Sequence, residues 1–404
     1  MAMTSMTIAL PHEQPPAGPE STPNRAMIRA MLIRFLAAMF LASLFVPLIG
    51  AWRHWDFAGA SNENRRLAER PPLPDTFKDA GHFADRWLGY YRDHFGLRNT
   101  LIRAVAETRF HGFGTDANGD FIIGKDGWLF FRPEFDRNFM GYRGLNPLSD
   151  EELSAWQDLV EERNAWLASK GIPYLVVIPP DKQTVYPEYL PPEYTAVRHQ
   201  SHLDQLIERL RQTNSSVHLI DLRPILIDAK QYHRVYFKTD THWNDYGGYA
   251  AYPVILHAIN SALPQANMVP QPLADFIARS TLHSGDLSHL TNLYYEFDED
   301  WPQLIRRTPF PPIVNPDDPY LPVITQGPDP NAPSLYMIHD SYTLYLSQFL
   351  GPHFSRVCWD WTASMNGPRI LSFKPNIVID EFLERMMYGP TPVDTADVRA
   401  ARVR

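Results

Sequence analysis

The 404-residue chain holds one cysteine, Cys358. No intrachain disulfide can form, and a cysteine-based zinc or iron–sulfur site is excluded. Basic charge is also scarce: 37 Lys+Arg face 46 Asp+Glu, a formal net charge of −9, without any basic run. Phosphate binding needs clustered lysine and arginine, so nucleic acid is not an expected partner. The sequence has no internal repeat and no long low-complexity tract. Chemistry is left to serine, histidine, tyrosine, lysine and carboxylates, and no cofactor is expected. The 44% hydrophobic content suffices for one large core or two ordinary ones.

The N-terminus sets the compartment. Residues 1–26 are polar and dotted with Pro11, Pro15, Pro16, Pro19 and Pro23, which predicts a disordered cytoplasmic tail. Phe35 to Trp52 is a run of 18 residues without a charge, long enough to span a bilayer as a helix. Arg25, Arg29 and Arg34 precede it, and Trp52 and Trp55 suit the far interface. The run exceeds a usual signal-peptide core and no clean A-x-A cleavage site follows. A retained transmembrane anchor over 27–55 is therefore expected, single-pass in a bacterial inner membrane, with the body in the periplasm. Asn62 to Pro74 reads as an extended lead-in.

Beyond the anchor, Phe83, Trp87, Tyr90, Tyr91, Phe95, Leu101, Ile102 and Val105 recur at helical spacing with Gly96 between, which predicts two helices packed into a core. Asp126-Gly127 between two apolar runs marks a hairpin. Ser149 and Glu152 form a capping box ahead of a helix that Gly171 ends. Short apolar runs then alternate with helical segments: Tyr174 to Ile178, Val217 to Ile220, Ser334 to Ile338, Arg356 to Trp359 and Asn376 to Ile379. This order predicts an α/β fold with a mostly parallel sheet flanked by helices. The domain is expected over 56–388, with an insertion at about 269–321 covering the site and a loose tail over 389–404.

In such folds catalytic groups follow the strands. Ser341 comes directly after Ser334 to Ile338 and before a predicted helix, where free N–H groups favour a developing oxyanion. Asp240 and His242, two apart, share one side of an extended segment, so Asp240 can hold one imidazole nitrogen while the other faces Ser341. By spacing alone two other readings stay open: Asp240 as the cap of the next helix, and Ser341 as an N-cap. Gly285-Asp286-Leu287-Ser288 mimics a G-D-S-L signature, but it follows no buried run and reads as a loop.

The segment Lys238 to Tyr252 (KTDTHWNDYGGYAAY), with Pro179 to Pro191 (PPDKQTVYPEYLP), DGWLFF upstream and HDSYT downstream, resembles the alginate O-acetyltransferase family of SGNH-hydrolase-like proteins. The likeness extends over about residues 60–388. It implies a circularly permuted SGNH-type domain with Asp240, His242 and Ser341 as a triad, and transfer of acetyl to hydroxyls of an exported polysaccharide. It also implies a multispanning membrane O-acyltransferase as acetyl donor. Two features depart from the family pattern: His339-Asp340 precedes the serine where glycine commonly stands two positions before it, and no carbohydrate-binding domain follows. Lys182, Tyr186, Trp243 and Tyr342 are the expected sugar contacts; the competing reading makes the aromatics core residues and Lys182 an ion-pair partner. A metal-dependent hydrolase using Asp240, His242, His339 and Asp340, an esterase with the same triad, and a non-catalytic export scaffold are the alternatives. The leading reading has no resident metal.

Overall fold

The computed structural model describes residues 23–53, 55–57, 66–114, 119, 121–132, 137–290, 293, 296–315, 317, 318 and 320–400. The expected disordered tail, as far as residue 22, and the last four residues lie outside these. Two compact units are present, residues 1–102 and 103–404.

The first unit begins with one helix, Pro23–Arg53, whose Met27–Arg53 part contains an 18-residue window of mean hydropathy 2.3, none of it buried. At a rise of about 1.5 Å per residue it is long enough for a bilayer's hydrocarbon. Two further helices, Phe77–His94 and Arg98–Glu107, break at Gly96 as the sequence predicts. The reason is steric, because a Cβ on Gly96 would fall 2.1 Å from the Gly50 carbonyl carbon. The aromatic stripe expected to fill a core does not: no described residue of Phe77–His94 is buried, and Trp87 is 41% exposed.

Among its described residues the second unit contains ten strands: β1 (Phe121–Ile123), β2 (Leu129–Phe131), β3 (Tyr174–Ile178), β4 (His218–Asp221), β5 (Phe276–His283), β6 (Glu299–Arg306), β7 (Val323–Gln326), β8 (Ser334–His339), β9 (Arg356–Trp361) and β10 (Ile377–Glu381). Six form one sheet in the order β4-β3-β10-β8-β9-β7. All pairings are parallel except β7 against β9. The predicted runs reappear as β3, β4, β8, β9 and β10, with ends shifted by one or two residues. The antiparallel edge β7 was not anticipated; its burial pattern is broken, with Ile324 exposed.

Every residue of β3, β8 and β10 is buried, because both sheet faces are covered. Leu175, Val177, Met337 and Ile379 pack on the side of helix Asp245–Ala262. Tyr174, Val176, Tyr336 and Val378 pack on the side of helices Asp150–Ala168 and His202–Gln212. The capping box at Ser149 and Glu152 opens the first of these, and Gly171 lies just past its end at φ 71°. Asp126 and Gly127 turn the β1–β2 hairpin with φ of 54° and 78°. The 269–321 segment is more ordered than a plain insertion. It forms the antiparallel pair β5–β6, with the short helix Asp286–Leu290 between them where a loop was expected.

The C-terminal segment is no loose tail up to residue 400. Asp394 accepts from Arg163 Nη2 at 2.6 Å and from the Met365 N–H at 2.7 Å, and Val398 is buried. Arg163 also donates to Asp380 of β10 at 2.6 Å. Without Asp394, Arg163 keeps Asp380 but its Nε–H and the buried Met365 N–H lose their acceptor, and a buried donor left unmade costs about 1–3 kcal/mol. Asp394→Ala is expected to lower the unfolding free energy by that amount in denaturant titration. A loss below about 1 kcal/mol, the range of an exposed pair, would show that the segment is not docked.

Candidate active site

The carboxyl ends of β3, β8 and β10 meet beside the loop 235–244. That loop is pinched shut by a bridge between Tyr236 and Trp243 and by the Asn244 N–H donating to Val235 O at 3.0 Å. Asn244 caps helix Asp245–Ala262, accepting from the Tyr246 and Gly247 N–H groups. Asp240 is thus free of a helix-capping role. After β8 the chain turns through Ser341–Tyr345, a tight 3₁₀ turn followed by the four-residue helix Ser347–Leu350, not the continuous helix the sequence predicts. Asp340, not Ser341, is the cap: its Oδ1 accepts the Tyr342 N–H at 2.9 Å and its Oδ2 the Leu383 N–H at 3.0 Å. The Ser341 N–H, first in the turn, finds no acceptor among the described residues.

The loop and the turn are tied together. Trp243 Nε1 donates to Tyr342 O at 2.8 Å, and the Tyr342 hydroxyl donates to Thr241 O at 2.5 Å. Helix Asp245–Ala262 comes close because Gly248 leaves room; a Cβ there would sit 2.2 Å from Tyr345 O. Across this joint His242 Nε2 lies 2.7 Å from Ser341 Oγ, and His242 Nδ1 lies 2.6 Å from Asp240 Oδ1. Ionised, the Asp240 carboxylate only accepts, so Nδ1 carries the hydrogen and Nε2 presents a lone pair to the serine hydroxyl. Burial pushes the Asp240 carboxyl up, but the hydrogen bond and charge of His242 outweigh it and hold it below the usual value. Burial likewise pushes His242 down, and the hydrogen bond and charge of Asp240, then the charge of Asp286, bring it above the usual imidazole value.

The four expected sugar contacts are turned inward. Trp243 and Tyr342 are buried and form the tie just described. Lys182 is buried and donates to the carbonyls of Phe237, Lys238 and Asp240 at 3.2, 2.9 and 2.6 Å, holding the loop from below. Its burial pushes the ammonium down to about 8. The Tyr186 hydroxyl accepts the Val235 N–H at 2.9 Å. These side chains brace the site instead of facing a polymer.

His339 and Asp340 do not join a metal cluster with Asp240 and His242. His339 is buried against Trp359 and Trp361, and both Asp340 oxygens are occupied by backbone N–H groups. Asp240, His242 and Asp286 do bring three ligand-type atoms within 4.8 Å of one another, although the Asp240–His242 hydrogen bond already uses two of these groups.

Asp286 was missed in the sequence. It lies 3.7 Å from His242 Nδ1, accepts from the Thr241 N–H at 2.7 Å and hydroxyl at 2.6 Å, and donates its own N–H to Asp240 Oδ2 at 2.9 Å. The signal was Gly285, since a Cβ there would lie 2.5 Å from the Asp240 backbone N. Ser288 of the same motif is buried and donates to Gly285 O. Arg385 was also missed; it pairs with Asp181 at 3.0 Å, sits 5.8 Å from the Tyr342 ring centre, and its charge opposes the upward shift of His242. Beneath the turn, Glu381 accepts from the Asp340 N–H and the Thr343 hydroxyl, and burial, with the charge of Asp340, pushes its carboxyl well above the usual value.

Residues 121–312 match a family model described as SGNH hydrolase-like domain, acetyltransferase AlgX. Within that range the chain is similar to SGNH hydrolase-like domains. It is 28% identical over 237 residues to the probable alginate O-acetylase AlgJ of Pseudomonas aeruginosa, 56% of each chain. It is 28% identical over 204 residues to the probable alginate O-acetylase AlgJ of Pseudomonas putida, 50% of each chain. The chain thus spans about half the length of these curated relatives. Among solved structures, the O-acetyltransferase domain of Pseudomonas putida AlgJ aligns with a TM-score of 0.48 at 20% identity, over 70% of this chain and 99% of that one. Asp240 and His242 lie within the matched residues and Ser341 beyond them.

A base must be neutral to take the serine proton, so activity is lost as pH falls through the His242 pKa. Raised above the reference of about 6.5, that pKa places the acid limb of kcat/KM above this value. Asp240→Asn removes the largest raising interaction, and the limb should move to lower pH. Asp286→Asn should move it the same way by less. Profiles of activated acetyl ester hydrolysis check both; limbs unmoved in either variant would show that these carboxylates do not act on His242.

Proposed function

We propose that the protein O-acetylates hydroxyls of an exported, alginate-like polysaccharide through an acetyl-Ser341 intermediate. The observation that carries the reading is the hydrogen-bonded line from Asp240 through His242 to Ser341, with 2.6 and 2.7 Å steps. Ser341 Oγ attacks the acetyl carbonyl and its proton passes to His242 Nε2. The oxyanion gathers at the unengaged Ser341 N–H at the head of the turn, where the local dipole favours negative charge. His242 returns the proton to the leaving group, and acetyl stays on Ser341. A sugar hydroxyl then attacks the ester carbonyl, gives its proton to His242, and Ser341 leaves and is reprotonated. Asp240 stays ionised throughout and steadies the imidazolium.

The substrate class draws on the relatives named alginate O-acetylase. The location draws on the apolar helix Met27–Arg53, which is compatible with a single-pass anchor. With arginines on its N-terminal side, the anchor leaves the catalytic domain in the periplasm beside the exported polymer. An acetyl-donating membrane O-acyltransferase is the partner this arrangement calls for.

With an activated acetyl ester and uronate oligosaccharides as acceptor, turnover should rise with acceptor concentration and yield acetylated oligosaccharide. Ser341→Ala and His242→Ala should each cost on the order of 10³-fold or more. Acetate release indifferent to acceptor would make the enzyme an esterase. Wild-type transfer by Ser341→Ala would remove the triad from the reaction.

A further inference from the structure

Among the described residues of 1–102, helix Phe77–His94 carries an aromatic face on which Trp87 and His94 are exposed and Phe83 and Tyr90 half-buried. On helix Phe77–His94, Phe83, Trp87, Tyr90 and His94 fall within about 60° of one another around the axis, with Asp79 and Arg86 along one edge of that face and Asp85, Arg92 and the exposed Leu88 on the far side. Their rings form a ladder, with centroids 5.9, 5.6 and 4.2 Å apart in succession. Charge on the helix is balanced, Lys78, Arg86 and Arg92 against Asp79, Asp85 and Asp93. Attraction to anionic surfaces is therefore not what this face offers. Bulky aromatics combined with a charged opposite side suit the lipid–water boundary.

Depth is set by the apolar helix. The Gly96 N–H donates to Pro47 O at 3.0 Å and the Leu97 N–H to Trp55 O at 2.7 Å. Gly50 and Gly96 touch backbone to backbone, an approach any side chain on Gly96 would block. Pro47 lies inside the uncharged run, roughly 9 Å below Arg53 along the axis. The aromatic helix therefore ends at the level where the apolar helix leaves the hydrocarbon. Around the same exit Trp52 is 74% and Phe57 78% exposed, and a cavity of about 610 Å³ bordered by Trp55, Leu67, Trp87, Tyr90 and Tyr91 opens at the joint.

We infer that helix Phe77–His94 lies in the non-cytoplasmic lipid–water interface of the membrane, its aromatic ladder against the acyl boundary and its charged side in water. The occupant of the exposed face is lipid. The protein then holds the bilayer with two elements, a crossing helix and a second helix lying flat at its exit. This rests on reading Met27–Arg53 as a retained anchor, and the two fail in different ways.

The test uses the full chain with Cys358→Ala, reconstituted in phosphatidylcholine vesicles. Single cysteines at Phe40→Cys, Asp85→Cys and Trp87→Cys carry an environment-sensitive fluorophore, quenched by aqueous iodide or by brominated lipid. Position 40 reports the anchor. Position 87 should be quenched by brominated lipid and several-fold less by iodide than position 85, which should show the reverse. If position 40 reads as lipid while 87 behaves like 85, the interfacial helix is wrong and the anchor stands. If 87 is shielded from both quenchers, protein and not lipid covers the face, which also overturns the inference. If position 40 itself is open to iodide, the anchor reading falls and this inference with it.

Discussion

His242 and Ser341 come from segments 99 residues apart, and their hydrogen bond exists only because two loops are tied to each other. Trp243 Nε1 reaches the Tyr342 carbonyl, and the Tyr342 hydroxyl reaches back to Thr241. Each bond joins a residue next to His242 with a residue next to Ser341. Both side chains are fully buried, and a buried donor left without its acceptor costs about 1–3 kcal/mol. The tie therefore resists the loosening that would cost most in catalysis, since reacting groups must be held to a fraction of an ångström.

Below the tie, the sheet supplies the fixed points. Lys182, just past β3, spends its ammonium on three carbonyls of the loop that bears Asp240. Glu381, the last residue of β10, and Asp340, just past β8, hold the turn that bears Ser341. Glu299 of β6 accepts the N–H groups of Lys238 and Thr239 and pairs with Arg234. Lys182, Glu299 and Asp340 thus serve to satisfy backbone around the Asp240–His242 pair.

The sheet was legible in the sequence because β3, β8 and β10 are buried on both faces, and a fully buried strand reads as an unbroken apolar run. The contact of Asp240, His242 and Ser341 was legible because the first two sit in a short distinctive segment and Ser341 follows such a run. Side-chain direction was not legible. Nothing in the residue types shows that Trp243, Tyr342, Tyr186 and Lys182 point inward, since an aromatic that braces a loop and one that stacks on sugar look the same in one dimension. Asp286 was hidden because its motif drew attention to Ser288, while the informative residue was Gly285, needed for close approach to Asp240. The aromatic stripe misled for a related reason: helical spacing shows that a face is apolar, not whether protein covers it.

In the proposed reaction Ser341 is the residue that His242 activates. A fluorophosphonate traps an activated serine covalently, so the measurement is its site of attachment, mapped by peptide mass spectrometry on the full chain. The account predicts adduct on Ser341 alone, formed far more slowly in His242→Ala and at an intermediate rate in Trp243→Phe, which keeps the ring but loses the tie to Tyr342. Adduct on Ser288, or on Ser341 at the wild-type rate in His242→Ala, would contradict it.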